Sequence, residues 1–140
     1  MAEAVGQRLR QEVGSRAGGR CEYCLSPEWL LLAGCEVDHI ISRKHGGKTE
    51  PANLALSCAR CNRAKGSDIS SVDPATGRLS RLFNPRIDRW SDHFKLDDVL
   101  LAARTIVGTV TISLLRLNDE PRLEERAVLL KIGEFPRLEQ

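Results

Sequence analysis

The chain has 140 residues, a mass of 15.5 kDa and a formal net charge of +2. This length predicts a single domain over residues 1–140, with a modest core that a bound metal would help to stabilise. No apolar run approaches the ~18 residues of a membrane span, and the charged start MAEAVGQRLRQEV differs from a signal peptide. We therefore expect a cytoplasmic protein, whose five cysteines stay reduced.

Apolar spacing predicts a helix, short strands and a second helix in the first half of the chain. Residues 3–17 carry apolar side chains at helical spacing and end at a Gly-Gly pair, which predicts a helix. Residues 30–41 suit two short strands around an Ala-Gly turn. Residues 58–65 then predict a helix that ends at Gly66.

The segment after this helix predicts loops, a strand and a further helix. Residues 67–95 read as loop with brief extended pieces, among them a strand in RLSRLF (78–83). Residues 105–117 are ambiguous, because the β-branched run TVTIS favours a strand. Val110, Leu114 and Leu117 share a helical face, however, and we predict a helix there.

Pro121 begins a last predicted helix, which uses Leu123, Ala127 and Leu130 as its apolar face. Together these elements predict an α+β protein. We expect the C-terminal extension, residues 69–140, to pack on the preceding core.

Two CxxC pairs give the chain its strongest local signal. Cys21 and Cys24 form one pair and Cys58 and Cys61 the other, with 33 residues between them. Four thiolates with this spacing suit a closed tetrahedral Zn²⁺ site of the structural kind. A redox CxxC is instead typical of a helix start in a βαβ unit and needs no second pair. We assign the fifth cysteine, Cys35, to the core because it lies in an apolar segment.

An Asp-His pair lies between the two CxxC pairs. The Asp38 carboxylate is a hard ligand that suits Mg²⁺ or another divalent cation, and a neutral imidazole such as His39 can deprotonate water. Neighbouring residues on a strand face opposite sides, so both can address one substrate only where the strand ends or bends. Taken alone, such a pair is more often a surface Asp and a partly buried His in a hairpin.

Basic side chains surround this pair. Residues 39–66 contain six basic residues and one acid, Glu50. Such a stretch suits a polyanionic substrate, although by itself it would fit an ordinary solvated loop. The side chains predicted to contact nucleic acid are Arg43, Lys44, Lys48, Arg63 and Lys65.

The combined pattern resembles the zinc-knuckle subgroup of the HNH endonuclease family, as found in small bacterial HNH nucleases. The resemblance covers residues 17–68 and is carried by Asp38-His39, by Asn53 fourteen positions later, and by the CxxCNxxKG run at 58–66. It implies a ββα-metal (His-Me finger) core. In that core a strand pair would carry the Asp-His dipeptide, a loop would carry Asn53 and a helix would carry Asn62.

The resemblance also implies a role for each matching residue. His39 matches the general base that activates water, and Asn53 matches the residue that fixes the loop and orients this histidine. Asp38 and Asn62 match the ligands of a catalytic divalent ion, such as Mg²⁺ or Mn²⁺. The four cysteines of the two CxxC pairs match the ligands of the structural zinc.

These roles imply an endonuclease that hydrolyses phosphodiester bonds in DNA, leaving 5′-phosphate and 3′-hydroxyl ends. The alternative is a non-catalytic four-cysteine zinc module that binds nucleic acid. That module would keep the cysteines and the basic loop, but it has no need of the Asp, the His and both Asn residues together, and we therefore favour the enzyme. His45 matches no catalytic position, and we expect His93, beside two aromatic residues, to be a packed structural side chain.

Overall fold

The computed structural model describes residues 5–138, which contain five helices and three two-stranded antiparallel sheets. None of the helices in this range is long and apolar enough to cross a membrane. The α+β class is as predicted. In chain order the elements are α1 (Gln7–Arg16), β1 (Cys35–His39), β2 (Leu54–Cys58), α2 (Ala59–Lys65), β3 (Ser70–Val72), β4 (Leu79–Arg81), α3 (Trp90–His93), β5 (Phe94–Asp97), β6 (Leu100–Ala103), α4 (Ile106–Leu115) and α5 (Glu120–Lys131).

A ββα unit occupies the centre of the chain, as the resemblance implied. Strand β1 pairs antiparallel with β2, with Cys35 opposite Cys58 and His39 opposite Leu54. Helix α2 follows β2 directly, because the Cys58 thiol caps it by accepting a hydrogen bond from the backbone N–H of Cys61 at 3.4 Å. The helix ends at Gly66, as predicted.

The sequence predicted the strands around this hairpin only in part. Residues 28–30 form a 3-10 turn, so the predicted first strand of 30–41 is absent and only β1 forms there. The Glu28 carboxylate accepts from the backbone N–H of Cys35 at 3.0 Å, which fixes the turn against the start of β1. Strand β2 was not predicted, because all five of its residues are buried and no polar alternation marks it.

Helix α1 covers one face of the hairpin. The helix was predicted over 3–17; residues 3 and 4 lie outside the described residues, and the observed helix ends before Gly18, as expected. Val13 packs with Ala17, Leu54 and Leu56 in a small apolar cluster. This contact positions α1 on the side of the hairpin opposite α2.

A larger core joins the first CxxC pair to the C-terminal half. Trp90 donates its indole N–H to the carbonyl of Tyr23 at 2.9 Å, and the ring of Phe83 contacts Tyr23, Phe94 and His93. The half-buried His93 also hydrogen-bonds Thr105 at 2.6 Å, so it is the packed structural residue that was expected.

The C-terminal helices form where they were predicted, but α5 buries a different face. Helix α4 contains the β-branched run TVTIS, whose Thr111 side chain bonds the carbonyl of Val107 instead of a strand neighbour. In α5 the buried residues are Arg122, Arg126 and Leu129. The predicted apolar face, Leu123, Ala127 and Leu130, was therefore right only in part. Leu130 packs against the core but Ala127 is exposed, and two arginines point inward, where acceptors for their guanidinium groups are available.

We predict opposite effects for alanine at two helical glycines. A Cβ at Gly108 in α4 would overlap the carbonyl oxygen of His93, whereas a Cβ at Gly14 in α1 meets open space. Gly108→Ala should cost about 1–3 kcal/mol of unfolding free energy, and Gly14→Ala should add about 0.5–1 kcal/mol. Urea denaturation of the metal-loaded protein measures both. Equal changes of the same sign would contradict this packing of α4.

Candidate metal centre and active site

The four cysteines of the CxxC pairs converge on one buried point. The Sγ atoms of Cys21, Cys24, Cys58 and Cys61 all lie within 4.8 Å of one another. A Zn–S distance of about 2.3 Å in a tetrahedron implies sulfur–sulfur edges of about 3.8 Å, and the Sγ atoms of Cys24 and Cys58 are 3.8 Å apart. The donor set and this spacing therefore fit Zn²⁺.

Two separate pieces of the chain build this cluster. The first CxxC pair lies in the loop after α1, and backbone hydrogen bonds from Cys21 to Ser26 and from Leu25 back to Cys21 close it at 2.9 Å each. This loop is fixed to β2, because the backbone N–H of Glu22 donates to the carbonyl of Leu56 and the Glu22 carboxylate accepts from the N–H of Leu56. A zinc ion would connect the loop to the junction of β2 and α2.

A guanidinium from α5 contacts the same sulfurs. The two terminal nitrogens of Arg122 lie 3.4 and 3.5 Å from the Cys61 Sγ, and Nη1 lies 3.9 Å from the Cys58 Sγ. Burial lowers the pKa of Arg122, but the negative thiolates of Cys61 and Cys24 outweigh it and raise the pKa above its ordinary value. The sequence analysis missed this residue; its only signal was i, i+4 spacing with Arg126 on one face of α5.

Cys35 does not belong to the cluster. It is half-buried, which differs from the fully buried core position that was predicted, and it lies opposite Cys58 in the β1–β2 pair. Burial, followed by the negative charge of Cys58, raises the pKa of Cys35 to about 12. This cysteine is therefore a protonated thiol beside the metal centre.

Asp38 is buried and held by two donors. Its Oδ2 accepts from the Tyr23 hydroxyl at 3.2 Å and lies 3.2 Å from the Lys65 Nζ. Burial is the largest effect on the pKa of Asp38 and raises it, although Lys65 and Tyr23 act in the opposite direction. Lys65 is only 2% exposed and also donates to the carbonyl of His39, so its ammonium group points into the protein and not toward a phosphate.

Asn62 lies one turn before Lys65 on the same helix and contacts a second carboxylate of β1. Its Nδ2 donates to the Glu36 Oε2 at 2.6 Å. Glu36 and Asp38 are two residues apart on β1, so both side chains face α2. The sequence analysis missed Glu36, although strand alternation alone would have placed it beside Asp38.

His39 is the last residue of β1, so the strand ends where the Asp-His pair requires it to end. Its Nε2 lies 2.8 Å from the Thr49 Oγ1, a contact that nothing in the local sequence indicates. A charge on His39 is near enough to lower the pKa of Asp38, although the two side chains leave the strand on opposite faces. The imidazole thus lies at the loop end of β1, on the face opposite the two carboxylates that face α2.

Asn53 closes the loop between the two strands. Its Oδ1 accepts from the backbone N–H of Ile41, and its Nδ2 donates to the carbonyls of Ile41 and Lys48, each at 2.9 Å. The chain passes so close at Gly47 that a Cβ there would overlap the Ile41 carbonyl oxygen. These contacts fix the segment that carries Thr49, the hydrogen-bonding partner of His39.

Four of the five basic residues predicted to contact nucleic acid are exposed. Arg43 and Lys44 lie in a 3-10 turn of the loop after β1, Lys48 follows in the same loop, and Arg63 lies on α2. Only Lys65 is buried. The exposed side chains give this end of the hairpin a positive rim.

Comparison with known proteins identifies the family of this segment. Residues 21–68 match the family described as HNH endonuclease. This segment is an HNH endonuclease domain. A curated relative, Septu protein PtuB of Bacillus thuringiensis, is 35% identical over 116 residues. That alignment covers 76% of the present chain and 40% of the relative, so the chain spans less than half of the relative's length.

The matched segment includes the four clustered cysteines and the residues to which the sequence pattern assigns catalytic roles, but not Arg122. The match begins at Cys21, the first predicted zinc ligand, and ends at Asp68, just beyond α2. The family consists of endonucleases, which act on nucleic acids. The individual roles of His39, Asn53, Asp38 and Asn62 stay predictions from the sequence pattern.

We predict that zinc binding depends on Cys58 and not on its neighbour across the strand pair. Cys58→Ser should lose the metal and the fold, because a structural zinc site supplies about 10–16 kcal/mol in small zinc domains. Cys35→Ser is the matched control and should retain about one zinc per chain, as expected for one closed four-thiolate site. Metal analysis after gel filtration, with circular dichroism, measures both. A folded, zinc-loaded Cys58→Ser protein would contradict the assignment.

Proposed function

We propose that the protein is a metal-dependent endonuclease that hydrolyses phosphodiester bonds in DNA. The observation that carries the proposal is the end of the β1–β2 hairpin in the HNH domain. Strand β1 carries Glu36 and Asp38, which face Asn62 and Lys65 of α2, and it ends at the half-buried His39, just before an exposed basic loop. A zinc site that only organises the fold has no need of this set.

Asp38 and Asn62 are the proposed ligands of the catalytic ion. Asn62 uses its Nδ2 to donate to Glu36, so its Oδ1 would be the donor atom for a cation. Tyr23 and Lys65 both contact the Oδ2 of Asp38 and so fix the orientation of the carboxylate. Oxygen donors of this kind suit Mg²⁺ or Mn²⁺, and such an ion, when bound, stabilises negative charge on the phosphate and the leaving oxygen.

His39 is the proposed general base. When its Nε2–H donates to the Thr49 hydroxyl, Nδ1 is the nitrogen that takes a proton from the attacking water. Asn53 holds the loop that carries Thr49 and thereby fixes the ring orientation. The water oxygen attacks phosphorus and the bond to the 3′-oxygen breaks, which leaves 5′-phosphate and 3′-hydroxyl ends.

The exposed basic side chains support a nucleic-acid substrate. Arg43, Lys44 and Lys48 lie exposed in the loop after His39, Arg63 is exposed on α2, and all four carry the charge that phosphates require. Lys65, which the sequence placed with them, is assigned instead to the orientation of Asp38, because its ammonium group is buried against that carboxylate.

The mechanism predicts different outcomes for two histidines at this end of the molecule. His39→Ala should cleave supercoiled plasmid about 10²–10⁴ times more slowly than wild type, which is the usual loss for a general base. His45→Ala is the matched control, since His45 is exposed in the loop after β1 and should leave the rate unchanged. Cleavage is followed with Mg²⁺, Mn²⁺ and EDTA, and zinc content confirms that both variants are folded.

Two results would contradict this mechanism. One is a folded, zinc-loaded His39→Ala protein that cleaves at the wild-type rate. The other is a zinc-loaded wild type that cleaves no plasmid with any divalent ion yet still binds DNA. The second result would identify the protein as the non-catalytic zinc module.

The affinity for DNA should fall steeply as the salt concentration rises. Each phosphate contact makes the slope of log K against log salt more negative by about 0.9. Lys44→Ala should therefore weaken binding to all sequences and make the slope less negative by about 1. Lys131→Ala is the control, because this exposed lysine lies at the end of α5, outside the HNH domain. Fluorescence anisotropy with a labelled duplex at several salt concentrations, in EDTA, measures the slopes. An affinity independent of salt, or a preference for RNA, would contradict the proposed substrate.

A further inference from the structure

A buried arginine from outside the HNH domain lies against the zinc-binding thiols. Arg122 is the third residue of α5 and is 6% exposed. Both of its terminal nitrogens approach the Cys61 Sγ, at 3.4 and 3.5 Å, and one also approaches the Cys58 Sγ. The guanidinium group thus spans both cysteines of the second CxxC pair.

This contact has the chemistry of charge compensation. A Zn²⁺ ion bound by four thiolates carries a net charge of −2, and the cluster is buried. Backbone N–H groups of Cys24 and Cys61 reach the Sγ atoms of Cys21 and Cys58, but they bring no net charge. Arg122 supplies a full positive charge in a planar fork, and hydrogen bonds between charged groups are about twice as strong as neutral ones.

The same contact ties α5 to the metal. Besides the sulfurs, the contact that the structure gives the Arg122 side chain is the carbonyl of Leu115, at 2.9 Å. If the thiolates were not negatively charged, the only remaining partner of the buried Arg122 guanidinium among the described residues would be the neutral carbonyl of Leu115. A buried charge whose partner is removed is strongly destabilising, so α5 should not dock in the same way once the zinc is gone.

We propose that Arg122 is the counter-ion of the zinc centre and couples zinc binding by the HNH domain to docking of helix α5. This inference rests on the proposed zinc. Coupling of this kind is reciprocal: a docked α5 tightens zinc binding, and bound zinc holds α5 in place. Arg122 is a positioning residue here and takes no part in cleavage.

Arg126 provides a matched control one turn along the same helix. It is 4% exposed, and its guanidinium donates to the carbonyls of Leu117 and Val99 at 2.7 and 2.8 Å. The sulfurs are not among its hydrogen-bonding partners. Substitution of Arg126 therefore removes a buried arginine but leaves the hydrogen bonds to the metal ligands unchanged.

The test compares zinc affinity in the full chain and in Arg122→Met, Arg122→Lys and Arg126→Met. Competition with a chromophoric chelator should show about 10–100-fold weaker zinc binding for Arg122→Met, the usual effect of losing a hydrogen bond to a metal ligand. Arg122→Lys keeps the positive charge but loses the planar guanidinium group, so its zinc affinity should lie between those of wild type and Arg122→Met. Arg126→Met should lose less zinc affinity than Arg122→Met, because Arg126 acts on the thiolates by its charge alone and not through hydrogen bonds.

Two further readouts separate this role from general stability. In Co²⁺-loaded protein, loss of the N–H···S bonds raises the sulfur donor orbitals, so the sulfur-to-cobalt charge-transfer band of Arg122→Lys should move to longer wavelength. The band of Arg126→Met should not move. Hydrogen exchange of the zinc-loaded proteins should show that residues 120–131 are less protected in Arg122→Met than in Arg126→Met.

Several results would overturn the inference while leaving the zinc assignment intact. These are wild-type zinc affinity in Arg122→Met, equal losses in Arg122→Met and Arg126→Met, an unshifted band in Arg122→Lys, or protection of α5 that is the same in zinc-loaded Arg122→Met and Arg126→Met. A wild-type protein that binds no zinc would instead overturn the zinc assignment, and the inference with it.

Discussion

Convergence of four thiols at one buried point is the constraint on which the rest of the structure depends. It brings the loop after α1 against the junction of β2 and α2, and the side chains next to the cysteines reach the proposed active site. Tyr23, inside the first CxxC pair, donates to Asp38, and Asn62 directly follows Cys61. Both proposed ligands of the catalytic ion are thus positioned by residues of the zinc site, so loss of zinc should disorder the active site as well as the core.

Buried charges are the second theme: most of those in the described residues face an opposite charge, whereas Arg126 is held by neutral oxygen acceptors. Lys65 and Asp38 lie together behind the proposed catalytic site at 2% and 7% exposure, and Arg122 faces the thiols. Breaking such a pair from one side typically costs about 3–5 kcal/mol. Asp38→Ala therefore confounds loss of a metal ligand with an unpaired lysine, and Asp38→Asn is the better probe of catalysis.

Local signals in the sequence predicted the four-cysteine cluster and the existence of α1, α2, α4 and α5, because spacing, glycines and prolines act over a few residues, and the family resemblance implied the ββα core. Contacts between distant segments were not predictable. Strand β2 is buried throughout and shows no alternation. Nothing near Thr49 marks it as a partner of His39, and Arg122 reads as a solvent-facing charge until the thiols it faces are placed. Lys65 reads as a phosphate ligand for the same reason.

The central claim is that one small domain holds two metals with different tasks. Crystals of the zinc-loaded protein soaked in Mn²⁺, with diffraction recorded at the zinc and manganese absorption edges, test it most directly. The account predicts a zinc peak among the four Sγ atoms and a manganese peak between the Asp38 carboxylate and the Asn62 Oδ1. A manganese peak that avoids both residues, or one that replaces zinc at the sulfurs while Asp38 and Asn62 bind no ion, would contradict it.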